Sequence, residues 1–173
     1  MTSVKAICLL VLALIFYRLS ANAQDFGPPK PLENKVFEAM IGDWSAESNM
    51  MGMPMKEEVS IKWTLNHQFI SMELKATAKD NPKITYGGYG LFGVDDKGNL
   101  KGWWFDDWGA VAVSTGSGTF GENKMTMNDG NEMFKETRVF EIKNGDIIMS
   151  SKGTMTMNGK EMPFDETSTY KKK

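Results

Sequence analysis

The sequence predicts an all-β fold, a single antiparallel up-and-down barrel of about ten strands with one short N-terminal helix. Three observations carry that expectation. Ile84 to Asp107 holds two β-prone runs joined by Asp95-Asp96-Lys97-Gly98-Asn99, the composition of a hairpin. Runs of period-two alternation fill most of the rest of the chain. Turn signals at Asn128-Asp129-Gly130-Asn131, Asn144-Gly145 and Asn158-Gly159 then divide the C-terminal part at hairpin spacing. Many short strands with one helix cannot make parallel βαβ units; they make an up-and-down barrel or a strongly coiled sandwich.

Taken in order, residues 1–23 read as a secretory leader. Lys5 precedes an apolar run from Ala6 to Tyr17, and Ala21-Asn22-Ala23 is a small-residue cleavage site before Gln24. Residues 24–32 hold three of the six prolines and read as an extended lead-in. From Glu33 to Met40, Val36, Phe37 and Met40 are spaced for one face of a short helix, with an acidic start at Glu33 and a stop at Gly42.

The period then changes to two. Trp44–Asn49 is a first strand. In Met55–Leu65, Val59, Ile61 and Trp63 oppose Glu58, Ser60 and Lys62. In His67–Thr77, Ile70, Met72, Leu74 and Ala76 oppose Ser71, Glu73 and Lys75. Asp80-Asn81-Pro82 breaks the chain before the central hairpin, whose first strand carries glycines at 87, 88, 90 and 93. Glycine inside a strand marks a sharp bend or a close approach to its backbone. Strands follow at Val111–Phe120, Lys124–Asn128, Met133–Ile142, Asp146–Lys152, Thr154–Met157 and Met162–Tyr170. The domain therefore runs from 33 to 170, followed by the basic tail 171–173.

Composition excludes several classes of function. The 173 residues carry a formal charge of −2, which becomes −4 if Lys5 and Arg18 leave with the leader. Apart from Lys171-Lys172-Lys173 there is no basic run, so nothing suits a nucleic acid. Cys8, the one cysteine, lies in the leader, leaving no disulfide or thiol chemistry in a mature chain. An exported domain without disulfides fits a bacterial periplasm or culture medium. No Ser-His-Asp set, P-loop or G-x-S-x-G is present, no cofactor is implied, and no enzyme is expected.

The helix leading into Gly42-Asp43-Trp44 resembles the G-x-W entry of calycin barrels. The series Ile41-Gly42-Asp43-Trp44, then Trp63 and Phe69, then Gly90-Leu91-Phe92-Gly93-Val94-Asp95, then Trp103 to Asp107, is similar to the DUF1579 family. The resemblance spans roughly Phe37 to Tyr170. It implies an exported bacterial protein with a lipocalin-like barrel and no assigned function. Val94 stands where the family has tyrosine. Related haem-binding barrels use a late histidine, and none follows His67 here.

Several side chains are candidates for a site. Trp44 is expected to close one barrel end. Trp44, Trp63, Tyr89 and Trp104 are expected as aromatic walls around a ligand. Adjacent strand residues face opposite sides, so only one of Trp103 and Trp104 points inward, and Trp104 and Trp108 are candidates for a mouth or interface. Arg138 is the one arginine outside the leader. It either pairs an anionic ligand through its planar guanidinium, stacks on Trp44, or pairs with Glu136 on its own face. Lone His67 cannot build a zinc site. Asp95-Asp96 and Asp106-Asp107 read as solvated turn carboxylates. Met50, Met51, Met53 and Met55 form a thioether-rich segment suited to Cu(I) or to adaptable packing.

The function expected from the sequence is an exported barrel holding a small, partly apolar and possibly anionic molecule in its interior or mouth. The alternative is an interaction module or homodimer using exposed Trp and Met surface. Copper binding by the methionine segment is a third.

Overall fold

The computed structural model describes residues 29–157 and 159–173; the expected leader and most of the expected lead-in lie outside them. Along one strand, Met53–Thr64, the side chains of Met55, Glu57, Val59 and Ile61 turn inward and are buried, while Lys56, Glu58 and Lys62 stand in solvent. That alternation runs around the whole sheet. Its ten strands are β1 (Gly42–Met50), β2 (Met53–Thr64), β3 (Phe69–Ala78), β4 (Thr85–Val94), β5 (Leu100–Asp106), β6 (Ser114–Phe120), β7 (Lys124–Gly130), β8 (Phe134–Lys143), β9 (Asp146–Met157) and β10 (Lys160–Lys172). Each pairs antiparallel with the next, and β1 closes on β10. The fold is the expected up-and-down barrel, closed, and not the coiled sandwich that alternation alone also allowed.

The closing seam is short. Ladder pairing joins Trp44 to Lys172 and Ser45 to Lys171, and the Lys173 N–H donates to the Asp43 carbonyl at 2.9 Å. Further along, Met51 N–H donates to Glu166 Oε1 at 3.1 Å.

One end of the barrel is plugged by α1 (Lys35–Met40). The sequence suggested an acidic start at Glu33; the cap is Asn34, whose Oδ1 accepts from the N–H groups of Val36 and Phe37, both at 3.0 Å. Val36, Phe37 and Met40 are buried. The Phe37 ring meets Trp63 and Phe120 edge-on, at 5.8 and 5.3 Å. Trp44 Nε1 donates to the Met40 carbonyl at 2.8 Å, tying the helix end to β1. A single 3-10 turn at Gly109–Ala112 replaces the expected start of a strand at Val111.

Gly153 read as a break between two strands, yet β9 runs straight through it. A Cβ there would lie 2.0 Å from the Lys135 carbonyl oxygen, so this glycine permits a close approach of β8. The glycines of β4 have the same explanation. A Cβ on Gly88 would fall 2.1 Å from Trp104 Cζ2, and one on Gly90 would fall 2.9 Å from Trp104 Cε3. The indole of Trp104 lies flat in the trough that these two residues leave.

Gly88→Ala is therefore expected to lower stability by about 1 to 3 kcal/mol, the range for overpacking a rigid contact. Truncating the indole as well (Gly88→Ala with Trp104→Ala) should cost less than the two single changes added together. Urea unfolding of the four proteins checks this; strict additivity would show that the contact does not constrain β4.

Candidate functional site

The end remote from α1 is open. A cavity of about 410 Å³ enters there and reaches inward to Val59, Met72 and Phe140. Its mouth is set by the β1–β2 turn with Met51, the β5–β6 connection with Trp108, and Met162 to Phe164 on β10. The walls are largely apolar, and six of the lining side chains are methionines: Met50, Met51, Met72, Met149, Met155 and Met162. Three groups of polar side chains interrupt them.

The first surrounds Arg138 on β8. Its Nη2 donates to Glu136 Oε1 and lies 3.7 Å from Asp129 Oδ2, and its guanidinium carbon sits 5.4 Å from the centre of the Trp104 ring. Ser151 donates to the other Glu136 oxygen, and Ser114 donates to Asp129 Oδ2 at 3.5 Å. Asp129 Oδ1 is buried with no hydrogen-bond partner among the described residues. Burial opposes the Arg138 charge, but Glu136 and Asp129 more than offset it and its pKa is raised. Asp129 is pushed up to about 6: burial raises it most, Arg138 draws it back, and Glu136 raises it again.

The second group is centred on Glu57 of β2, which is 4% exposed. Ser48 and Tyr170 donate one hydrogen bond each to its two carboxylate oxygens. Burial, followed by the Glu57 charge, holds the Tyr170 hydroxyl well above its ordinary pKa, so the phenol remains a donor. The third is a relay at the wall: Trp104 Nε1 donates to Tyr86 Oη, and Tyr86 donates to Asp106, both at 3.1 Å. Burial again raises the Tyr86 pKa.

Of the side chains singled out in the sequence, Trp104 and Arg138 meet in this cavity. Trp104 is 6% exposed; it faces inward and Trp103 outward, so Trp104 is a wall and not an external surface. Tyr89 points to the outer face and is 44% exposed, because on β4 the inward positions are the even ones, Tyr86 among them. Trp44 is fully buried beneath Lys172 at the plugged end. Trp63 lies at that end too, against Phe37 and the His67 ring at 3.8 Å. His67 also approaches Glu38 at 3.5 Å. Trp108, at the rim, is 45% exposed.

Met50, Met51, Met53 and Met55 do not form a free loop. Met50 pairs with Met53 across a tight hairpin whose turn is Met51-Gly52, and Met55 is sealed against Ala76 and Ala78. Asp106 and Asp107 tie β5 to β4: Asp107 Oδ2 accepts from Gly87 N–H at 2.6 Å and Asp106 Oδ2 from the Tyr86 hydroxyl, while Asp106 Oδ1 accepts from Trp108 N–H at 2.9 Å in the β5–β6 connection. Among the described residues no group of three or more His, Cys, Asp or Glu is placed to hold a metal.

Sequence reasoning missed Glu57, Tyr86, Asp129 and Tyr170. Glu57 had a visible signal, since it lies on the apolar side of β2 between Met55 and Val59. No protein-family model matches the chain, and no curated protein matches it in sequence.

The raised Asp129 pKa has a consequence for stability. Its folded value of about 6 exceeds the ordinary 3.8, so the folded state holds this proton more tightly than the unfolded chain does. Stability should therefore fall as pH rises from about 4 to about 6, by an amount on the order of 2 kcal/mol, and stay lower above that. Urea unfolding at pH 4.5 and 7.0 should show this decline in the wild-type protein and a flatter response in Asp129→Asn. Equal responses in the two proteins would mean that Asp129 titrates normally.

Proposed function

We propose that this protein is a binding barrel that takes one small, largely apolar molecule into the open end. The observation that carries the reading is the cavity itself, about 410 Å³ of half-enclosed space walled by methionine and aromatic side chains and holding a few fixed polar groups. Such volumes accommodate small organic ligands, and sparse polar groups among apolar walls orient them. Methionine adds a surface that adapts to irregular shapes. The resemblance to the DUF1579 proteins and the leader-like residues 1–23 agree with an exported barrel.

The anionic end considered for the ligand loses its main support at Arg138, because Glu136 and Asp129 already occupy that guanidinium. The reading as an interaction module draws instead on the rim, where Trp108 and Val111 are 45% and 74% exposed. Two copies meeting there would give a mass that rises with concentration.

The test is a titration with the neutral fluorophore N-phenyl-1-naphthylamine. One saturable site per barrel is expected, and it should be lost in Leu74→Trp, which places an indole in the cavity wall while circular dichroism keeps its β signature. Fluorescence that rises without saturating, or that is indifferent to Leu74→Trp, would remove the cavity as the binding site.

A further inference from the structure

We propose that the molecule held in this cavity is an organic cation, a protonated or quaternary amine carried on an apolar body. The inference rests on the binding reading above and names the chemistry of its ligand. Four carboxylates line the space, those of Glu57, Asp106, Glu136 and Glu166, against one guanidinium, that of Arg138. Glu136 is matched by Arg138. Glu57 is not matched by any cation: its partners are the neutral hydroxyls of Ser48 and Tyr170, and no Lys, Arg or His among the described residues pairs with it. Asp106 likewise accepts from neutral donors, the Tyr86 hydroxyl and a backbone N–H, and Glu166 accepts from the Met51 N–H.

A carboxylate in an apolar wall is costly to keep ionised, and the cost is removed when it takes up a proton or when a positive charge joins it. Here the space beside it is open to an incoming molecule. The surrounding rings add to the preference. Tyr170 and Tyr86 line the same cavity as Glu57 and Asp106, and aromatic rings attract ammonium groups. The hydrogen bonds leave the carboxylates pointed rather than collapsed. Ser48 from β1 and Tyr170 from β10 hold Glu57 from the two strands that flank the seam. An anion would meet those four acids with the one cation already engaged. A neutral molecule would leave Glu57 uncompensated. A cation with an apolar tail satisfies both the acids and the methionine walls.

The experiment compares three eight-carbon probes at neutral pH by isothermal titration of the wild-type protein: n-octylammonium, 1-octanol and octanoate. Octylammonium should bind about tenfold or more tighter than octanol, the size of one ion–carboxylate or cation–π contact in a partly enclosed site, and octanoate should bind most weakly. In Glu57→Gln, which keeps the side-chain shape, accepts through its amide oxygen from one of the two hydroxyls and donates from its NH2 to the other, the ammonium-to-octanol ratio should fall toward one. Octanoate binding as tightly as octylammonium, or octanol matching it in the wild type, would overturn the cation assignment and leave the binding barrel standing. A ratio unchanged in folded Glu57→Gln would overturn the role of Glu57. Failure of all three probes would remove the binding reading along with the cation.

Discussion

Ring closure is the constraint that the rest of the molecule answers to. Ten antiparallel strands joined β1 to β10 enclose more space than their own inward side chains fill, since barrels near eight strands are already about filled. The two ends resolve the surplus differently. At one, α1 drops Val36, Phe37 and Met40 into the opening, and Trp44 binds the helix by its indole N–H. At the other, none of the described residues enters in this way and the surplus becomes the cavity. The asymmetry between a plugged and an open end is what gives this barrel a site.

The polar groups inside have a common logic. The main ones take a partner from another strand: Glu136 from Ser151 on the adjacent β9, Glu57 from Ser48 on the adjacent β1 and from Tyr170 on β10 beyond it, and Trp104 from Tyr86 on the adjacent β4. These bonds run across the barrel wall and fix the orientation of side chains that would otherwise be free to turn. Asp129 Oδ1, like Trp63 Nε1 and Ser60 Oγ, has no partner among the described residues, and burial above all raises the Asp129 pKa.

Much of the architecture was legible because alternation and turn chemistry are local. The Asn144-Gly145 turn, with both residues at positive φ, and the Asp95–Asn99 turn, with Gly98 at φ 81, stand where composition placed them. What was not legible depends on phase and on neighbours distant in sequence. Tyr89 and Tyr86 are both plausible wall residues on β4, and an odd step between them decides which one faces in. Gly153 looks like a strand end until β8 is seen pressing against it. Arg138 could be placed on an inward face from its spacing to Phe140, but its engagement by Asp129 depends on the β7–β8 register.

The seam between β1 and β10 has a kinetic meaning. It joins the first strand to the last through two ladder pairs, so nearly the whole chain must be in place before the cylinder can shut. Contacts so far apart in sequence carry a large loop-closure entropy and place the fold toward the slow, high-contact-order end of single-domain kinetics. Until that step, β1 and β10 present bare backbone to any other chain, the exposure from which aggregation starts. The last few residues, Lys171 to Lys173, are then the latch of the folding reaction rather than an idle tail.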